Sequence, residues 1–328
     1  MGVNRLHIAT PCIESREFSR CIGSQRVWLK LENLQRSGSF KIRGIGLLCS
    51  ESLRLQHCTE IICSSGGNAG LAAAAAASAL GLPVQVYVPE TTPAYMRARL
   101  RSEGATVHVH GKVWDETNRK ALEVVERSSG ALYVHPFDHP LIWTGHSTLV
   151  DELDQRPAAI VLSVGGGGLL LGVVQGLQRR GWTDVPVVAA ETVGAASFAA
   201  TFNANGVLQR IPTIDTVAKS LGALQVSEAC AELIRSRAHP LYSYVCTDQE
   251  AVEAMLAFAT LHRMLVEPAC GAALTLVTSP RGRAFLHEHI GQTGNVVVVV
   301  CGGNMITPSM LMELAKVTGA SGDSWSAM

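Results

Sequence analysis

Lys41 has the surroundings in this chain that most favour covalent chemistry. It lies in the stretch Ser37–Gly44, where small residues flank it and a helix is predicted from about Ile42 onward. An amine at the start of a helix is close to backbone N–H groups and to the positive end of the helix dipole, which lowers the pKa of the ammonium. A neutral amine can attack a carbonyl and form a Schiff base. A solvated lysine on the first turn of an amphipathic helix would also fit this pattern.

The loop Ser64–Gly70 is a second candidate, because it joins a predicted strand to an alanine-rich segment. Small residues at a strand-to-helix turn expose consecutive backbone N–H groups, which bind anions such as a carboxylate. Asn68 adds a donor and an acceptor that could hold a ring hydroxyl. A tight turn into a closely packed helix explains the glycines and alanines, but it does not explain two serines and an asparagine on the loop.

Four consecutive glycines, Gly165–Gly168, form a third loop between a predicted strand and a predicted helix. Such a run is costly in conformational entropy, and it lets a phosphate lie against backbone N–H groups. Glu191 follows at a spacing that suits a ribose ligand, but the third glycine of a dinucleotide motif would fall on Leu170 or Leu171. No Walker lysine follows the glycines. A monophosphate therefore fits better than a nucleotide.

Cys301 ends the most apolar predicted strand and begins the sequence Cys301–Asn304. Side chains at the C-terminal ends of parallel strands face the usual ligand crevice of such sheets. Its thiol could form a weak hydrogen bond there, although a buried cysteine more often packs as a small hydrophobic residue. The eleven histidines are dispersed, and their spacing assigns no role to any of them.

These loops require a sheet to position them, and the chain alternates short apolar runs with longer amphipathic segments. This alternation predicts an α/β fold with mostly parallel strands, covered on both faces. We predict two α/β lobes with a cleft between them, divided near His135–His139. The predicted strands are Glu60–Cys63, Val84–Val88, Thr106–His110, Leu132–His135, Ala159–Val164, Val187–Ala190, Leu241–Val245 and Val296–Cys301.

Two helix starts are marked by capping residues. Thr92 before Pro93 predicts an N-cap followed by proline at the first helical position. The sequence Thr247–Glu250 matches a capping box.

Composition excludes several classes of protein. The 328 residues carry 27 acidic and 27 basic side chains without a run of either sign, so neither nucleic acid nor an anionic membrane is the expected partner. No secretion signal or membrane-spanning run is evident. The nine cysteines are scattered without CxxC spacing, which argues against a disulfide framework and a zinc cluster. We expect a reduced, cytoplasmic protein.

Taken together and in this order, the motifs resemble the fold-type II pyridoxal-phosphate enzymes, whose architecture is that of the tryptophan synthase β chain. Within them the chain is most similar to the serine/threonine dehydratase family, in the group of L-serine dehydratases and serine dehydratase-like proteins. The resemblance extends over nearly the whole chain. The stretches that carry it are Ser37–Gly44, Ser64–Gly70, Pro136–Trp143, Gly165–Gly168, Glu191–Ala195, Val217–Gly222, Val266–Gly271 and Cys301–Asn304.

The resemblance implies a role for each of these motifs. Lys41 would hold pyridoxal phosphate as a Schiff base and then take the α-proton of the substrate. The cofactor would be bound by Phe40 on one ring face, Ser220 near the other, Asn68 at the ring hydroxyl, Cys301 at the ring nitrogen, and Gly165, Gly166, Gly167, Gly168 and Leu169 at the phosphate. The substrate carboxylate would be received by Ser65, Gly66, Gly67 and Asn68. Glu191, Ala195 and Ser197 match positions that bind a monovalent cation such as K⁺ in relatives.

The implied reaction is β-elimination of water from L-serine and L-threonine, giving pyruvate or 2-oxobutyrate plus ammonia. A thiol at the ring nitrogen makes a weaker electron sink than a carboxylate, which suits elimination more than transamination. The family also implies a homodimer, a large domain of residues 1–34 and 136–328, and a small domain of residues 35–135. We expect no C-terminal regulatory domain, because the chain ends soon after the Cys301 strand. The alternatives are a nucleotide-dependent oxidoreductase, another lyase of this fold, or a low-activity cofactor-binding relative that serves as a partner protein.

Gly66 carries one further expectation. Serine racemases of this fold place a serine hydroxyl at the matching position, whereas better-matched serine dehydratases place alanine there. Glycine has no group that could transfer a proton on the second face of the substrate, so we expect little racemisation. A glycine also loosens the loop that grips the carboxylate, so we expect turnover to be low.

Overall fold

The computed structural model describes residues 5–23 and 25–322, and their strands form two separate sheets. The larger sheet has the order β1-β2-β10-β7-β8-β9 and the smaller has the order β5-β4-β3-β6. The strands are β1 (Cys12–Ser15), β2 (Arg26–Leu31), β3 (Glu60–Cys63), β4 (Val84–Val88), β5 (Thr106–Val109), β6 (Ala131–Val134), β7 (Ala159–Ser163), β8 (Val187–Thr192), β9 (Leu241–Cys246) and β10 (Asn295–Val300).

Both sheets are parallel apart from the antiparallel pair β1–β2 at the edge of the larger sheet. The central strands β7 and β8 are buried along their whole length, as expected for strands with helices on both faces. Because all strands of a parallel sheet end at one edge, the loops after β7, β8 and β10 lie together.

The helices that cover the sheets are α1 (Arg16–Cys21), α2 (Lys41–Gln56), α3 (Asn68–Leu80), α4 (Ala94–Ser102), α5 (Trp114–Arg127), α6 (Pro140–Asp151), α7 (Gly168–Arg179), α8 (Ser197–Asn203), α9 (Glu228–Ser236), α10 (Asp248–His262), α11 (Pro268–Thr278), α12 (Pro280–Ile290) and α13 (Pro308–Thr318). Each sheet has its own apolar core. One core is built around β7, β8, β10 and α11, and the other around β3, β4 and α3. The predicted two α/β lobes are therefore present.

The predicted elements are confirmed with small shifts of their ends. All eight predicted strands form, and the capping box at the start of α10 is present. The predicted N-cap at Thr92 is wrong, because Pro93 has an extended ψ of 146° and is itself the N-cap of α4. The limits predicted for the two domains remain a prediction, and residues 1–4, 24 and 323–328 of those ranges lie outside the described part of the chain.

A buried ionic network fixes α2, the helix that begins at Lys41. The guanidinium of Arg43 is fully buried and binds Glu32 at 2.7 Å and Glu152 at 2.6 Å, while Lys30 binds the same Glu152 at 2.6 Å. Burying these charges is tolerable because they balance and are hydrogen-bonded. Removing one partner would leave an uncompensated charge, so the network holds the start of α2 against β2 and α6.

None of the described helices is long and apolar enough to cross a membrane. The nine cysteines all lie within the described part of the chain, and no two of them form a disulfide.

Candidate active site

Lys41 is the first residue of α2. Its Nζ donates a hydrogen bond to the backbone carbonyl of Pro136 at 2.7 Å and lies 5.0 Å from the centroid of the Phe40 ring. Burial lowers the pKa of Lys41 from 10.5 to about 8, although nearby acidic groups such as Cys301 and Glu267 oppose the shift. A substantial share of this amine is therefore neutral near pH 8, as a nucleophile or base requires.

The glycine loop after β7 is a tightly packed cradle. A Cβ on Gly166 would come within 2.3–2.4 Å of the Phe137 ring, and one on Gly168 would come within 2.6 Å of the Phe137 carbonyl oxygen. Gly167 has a φ of +95° and is the N-cap of α7. The helix start thus offers free N–H groups to an anion, with Leu169 buried behind them.

The Ser65–Asn68 loop lies at the start of α3 in the smaller lobe, and it is more open. Ser65, Gly66 and Gly67 are partly exposed, and the hydroxyl of Ser65 accepts the N–H of Gly67 at 3.3 Å. Asn68 is only 9 % exposed, and its Nδ2 donates to both carboxylate oxygens of Glu267 at 2.8 and 2.9 Å. The loop therefore presents N–H groups and hydroxyls to the cleft and is tied to the larger lobe by one side-chain pair.

Cys301 follows β10 and joins the other motifs through its backbone and its thiol. Its carbonyl oxygen accepts the N–H of Phe40 at 3.0 Å, and its Sγ lies 3.1 Å from Sγ of Cys270 and 3.5 Å from the hydroxyl of Ser163. Ser163 is the last residue of β7, directly before the glycine loop. The structure thus brings the Lys41, glycine-loop and Cys301 motifs together.

Phe40 and Ser220 occupy the positions predicted to flank a flat ring. Phe40 packs edge-on against the buried imidazole of His146, with centroids 4.8 Å apart. Ser220 lies in a short 3-10 turn, Lys219–Leu221, whose Leu221 backbone lies within 3.2–3.4 Å of a Cβ built on Gly165. Ser220 itself is exposed to the cleft.

Glu191 lies near the end of β8, and Ala195 and Ser197 follow it in the short turn and the helix α8. The buried Glu191 carboxylate accepts the backbone N–H groups of Phe198 and Ala199 at 2.8 and 2.7 Å, and burial raises its pKa to about 8. The hydroxyl of Ser197 is buried with no hydrogen-bond partner among the described residues. The described residues hold no group of three or more His, Cys, Asp or Glu side chains that could bind a metal ion.

The site fits pyridoxal phosphate on two observations. The Oδ1 of Asn68 is buried without a hydrogen-bond partner in the described part of the chain, which suits a ring hydroxyl as its missing partner. The Gly165–Gly168 cradle has no room for side chains and lies at a helix start, which suits a phosphate. Lys41 supplies the amine near both.

Sequence reasoning gave no role to several groups that line this site. They include the Pro136 carbonyl that binds Lys41, and His135, whose Nδ1 accepts the N–H groups of Phe137 and Asp138 and whose pKa burial lowers to about 4. Glu267 could have been recognised only as a residue before a helix-starting proline. Its contact with Asn68 spans 199 positions of the chain, and no local pattern reports such a contact.

Comparisons with known proteins agree with this arrangement. The family model described as pyridoxal-phosphate dependent enzyme matches residues 3–302. The chain is 48 % identical to an L-serine dehydratase/L-threonine deaminase of Bos taurus over 98 % of this chain and 99 % of the relative. It is 48 % identical to a serine dehydratase-like protein of Homo sapiens over 95 % of each. The structure of an L-serine ammonia-lyase from Rhizomucor miehei superposes with a TM-score of 0.88 at 38 % identity, covering 95 % of this chain and 98 % of that one.

Proposed function

This chain belongs to the family of pyridoxal-phosphate-dependent enzymes, and from that premise we propose that it is an L-serine/L-threonine ammonia-lyase. It eliminates water from L-serine, and the resulting enamine hydrolyses to pyruvate and ammonia. L-threonine gives 2-oxobutyrate and ammonia in the same way. The observation that carries the proposal is the convergence of a low-pKa amine, a phosphate cradle and a carboxylate loop on one cleft.

The chain's own residues bind and orient the reactants. Gly165–Gly168 and the N-terminus of α7 would hold the cofactor's phosphate, with Phe40 and Ser220 against its ring and Asn68 at its hydroxyl. When bound, pyridoxal phosphate supplies the electron sink that stabilises the carbanion formed at the substrate's α-carbon. The Ser65–Asn68 loop would hold the substrate's carboxylate through backbone N–H groups and hydroxyls.

Proton transfer is the task of Lys41. Its Nζ, with a pKa of about 8, takes the α-proton of the substrate as a general base. The Pro136 carbonyl holds that nitrogen in place by a 2.7 Å hydrogen bond. Cys301 would face the ring nitrogen with a thiol, which is a weaker partner for that nitrogen than a carboxylate, and this suits loss of a β-leaving group more than transamination.

Five further features belong to the same proposal. A monovalent cation such as K⁺ is bound by Glu191, Ala195 and Ser197, supported by the buried carboxylate of Glu191 and by the hydroxyl of Ser197, which has no hydrogen-bond partner among the residues that the structure describes. The protein is a homodimer, as the family resemblance implies, and it serves amino-acid degradation. It works in the cytoplasm, as the scattered cysteines without CxxC spacing favour. Its partners are small amino acids rather than nucleic acid or membrane.

The experiment is to measure pyruvate release from L-serine and 2-oxobutyrate release from L-threonine, with and without added pyridoxal phosphate. Cofactor-dependent release of both products is expected. Release of neither product by a protein that binds the cofactor would instead favour a low-activity relative that acts as a partner protein.

A further inference from the structure

The first turn of α5 is bound to the end of β3 by a triangle of polar side chains, Ser64, Asn118 and Tyr133. The Ser64 hydroxyl donates to Oδ1 of Asn118 at 2.8 Å, and the Tyr133 hydroxyl donates to the same oxygen. The two hydroxyl oxygens are 3.1 Å apart. Ser64 directly follows β3 and directly precedes the Ser65–Asn68 loop. The triangle therefore lies where that loop leaves the smaller sheet.

The alternation of side chains along β3 brings Ser64 to α5. Ile62 belongs to a small buried cluster together with Ala121 of α5. Residues two apart on a strand share a face, so Ser64 continues the side of Ile62. Residues three apart on a helix also share a face, so Asn118 lies beside Ala121. Because the neighbouring cluster is apolar, packing alone does not require polar groups at this point.

Asn118 is the shared acceptor that holds the side chain of Ser64 in one position. Ser64 is fully buried, so its hydroxyl needs partners inside the protein. An amide oxygen has two lone pairs, and the two hydroxyls of the triangle use both of them. Burial raises the pKa of Tyr133 to about 12, so its phenol remains a donor at the pH at which Lys41 acts as a base.

The Ser65–Asn68 loop depends on its two ends, because its centre is weakly packed. The loop is partly exposed from residue 65 to residue 67, and a Cβ on Gly67 would have its nearest contact at 3.5 Å. At the C-terminal end, the side chain of Asn68 is bound to the larger lobe. At the N-terminal end, the side chain of Ser64 is bound to Asn118. A change at either end should therefore move the backbone N–H groups between them.

We propose that Asn118 is a positioning residue for the substrate's carboxylate: by holding Ser64, it places the N–H groups of the Ser65–Asn68 loop that would bind this carboxylate. The inference rests on the proposed function, which assigns the carboxylate to that loop. The carboxylate takes no part in the bonds that form and break during elimination, so it is bound equally strongly in the ground state and in the transition state. Loss of such binding raises KM and leaves kcat unchanged.

The first test is Asn118→Leu, which keeps the branched shape of asparagine and removes the acceptor. Both hydroxyls then lose their partner, and the start of the loop is free to shift. We expect KM for L-serine to rise about tenfold, the equivalent of one hydrogen bond, with kcat within about twofold of the wild type. The dissociation constant of pyridoxal phosphate should not change, because the phosphate cradle belongs to the other lobe. An unchanged KM, or a fall in kcat at constant KM, overturns the inference.

A double-mutant cycle shows whether the effect of Asn118 passes through Ser64. Ser64→Ala removes the hydroxyl that Asn118 holds, and we expect it to raise KM by a similar factor. Adding Asn118→Leu to Ser64→Ala should then change KM by less than about twofold, since two residues that act through one contact are not additive. A double variant whose KM is raised by the product of the two separate factors contradicts the proposal.

Two fragments of serine identify the group that is positioned. One is 3-hydroxypropionate, which lacks the amine and keeps the carboxylate, and the other is ethanolamine, which lacks the carboxylate and keeps the amine. Both are measured as competitive inhibitors of L-serine. We expect Asn118→Leu to bind the first about tenfold more weakly than the wild type does, and the second equally well. Equal losses for the two fragments would separate Asn118 from the carboxylate and overturn the inference.

The matched control is Gln85→Met on β4, in the same sheet. The amide oxygen of Gln85 also accepts a tyrosine hydroxyl, that of Tyr87 at 2.9 Å, and its amide nitrogen donates to Glu60 at 2.8 Å. Neither partner belongs to the Ser65–Asn68 loop. Gln85→Met should lower the melting temperature as Asn118→Leu does, but keep the wild-type KM. A control that raises KM equally would show a general loosening of the smaller lobe and overturn the assignment.

Tyr133→Phe gives an answer even if Asn118→Leu does not fold, because it removes one hydroxyl of the triangle and keeps the ring. We expect KM to rise about two- to fivefold at constant kcat, and an unchanged KM overturns the inference. A wild-type chain that releases no pyruvate from L-serine overturns the proposed function together with this inference. A chain that releases pyruvate but keeps its wild-type KM in Asn118→Leu overturns this inference alone.

Discussion

Both glycine loops of the cleft join a strand to a helix through small residues. They nevertheless pack very differently. In the larger lobe, neighbouring atoms crowd every position of Gly165–Gly168, with Phe137 within 2.3–2.4 Å of a Cβ on Gly166. In the smaller lobe, a Cβ on Gly67 would meet only ordinary contacts, beginning at 3.5 Å from Met305 Sδ. The first loop is a rigid cradle that is crowded at every glycine, whereas the second has an open position at Gly67.

The difference follows from what each loop is proposed to bind. A cofactor phosphate stays in place through many turnovers, so a cradle fixed by packing loses no entropy at each cycle. A substrate carboxylate enters and leaves each time, and a half-exposed loop allows this. Substitutions in and near the two loops test whether they serve one reaction and whether their packing differs.

Lys41→Ala gives the largest expected effect, because among the described residues no amine other than that of Lys41 is proposed to hold the cofactor and take the α-proton. Elimination should fall by at least about 10²–10⁴-fold, the usual contribution of a positioned base. Borohydride-sensitive absorbance of the cofactor should disappear. Lys41→Arg should fail as well, since guanidinium stays protonated.

Lys120→Ala is the control for Lys41, because its side chain pairs with Glu123 on the partly exposed surface of α5. It should keep both activity and absorbance. Borohydride-sensitive absorbance that persists in Lys41→Ala would mean that another lysine holds the cofactor.

Gly166→Ala tests the rigid cradle. The added Cβ overlaps the Phe137 ring, so we expect a loss of about 1–3 kcal/mol in the free energy of unfolding and weaker cofactor binding. Urea unfolding and titration with pyridoxal phosphate measure the two effects. Gly67→Ala is the matched substitution in the open loop and should cost much less. Equal losses for the two variants would remove the distinction between the loops.

The sequence could predict the local plan of both loops but not their packing. The strands, the capping box at Thr247–Glu250 and the order of the motifs follow from periodicity and turn chemistry, which are local. The contact of Phe137 with Gly166 and that of Asn68 with Glu267 depend on how elements far apart in the chain meet. No local propensity reports those distances, so the roles of Glu267 and Phe137 emerged only from the structure.

Glu191 allows a test of the larger lobe by pH. It lies on β8, which pairs with β7, the strand that precedes the rigid cradle. Burial raises its pKa to about 8. The stability that the protonated carboxyl contributes is fully present below the ordinary value of 4.5 and is lost as pH rises through about 8. Since K⁺ requires the ionised form, K⁺ at 100 times its Kd should stabilise the protein by ~2.7 kcal/mol at about pH 9 and by much less at pH 6.

Thermal unfolding in K⁺ and in tetramethylammonium at equal ionic strength measures this effect. Glu191→Gln should remove both the K⁺ effect and its pH dependence. A K⁺ effect that is equal at both pH values, or that survives in Glu191→Gln, would place the cation elsewhere.

Cys301→Ser should change activity by less than about tenfold, because serine offers a comparable weak hydrogen bond. Cys301→Asp should favour a protonated ring nitrogen and shift the balance toward other reactions of the carbanion. Its carboxylate would be buried beside the Cys270 thiol, 3.1 Å from the present Sγ. Product analysis by chromatography separates the outcomes, and wild-type behaviour of both variants would reduce Cys301 to a packing role.

Substitution of Gly66 gives the smallest expected change in activity. It also tests the one position of the Ser65–Asn68 loop where neighbouring atoms limit the space for a side chain. The sequence predicts that Gly66→Ala tightens the loop and raises dehydratase activity. In the structure, a Cβ on Gly66 would come within 2.9 Å of Thr92 Cγ2 and 3.0 Å of its Oγ1. Thr92→Ser removes the nearer atom, so the double variant Gly66→Ala/Thr92→Ser should gain more activity than Gly66→Ala alone.

Residue 66 also determines whether a proton can be added to the second face of the substrate's α-carbon. Without a side chain at Gly66 no acid is positioned on the face opposite Lys41, and such an acid typically contributes ~10²–10⁴-fold. The wild type should therefore form little D-serine from L-serine, whereas Gly66→Ser in the Thr92→Ser background should racemise measurably. Thr92→Ser alone is the control and should form as little D-serine as the wild type. Chiral chromatography decides the point: if the unmodified protein formed D-serine as fast as pyruvate, the proton on the second face would come from a group other than residue 66.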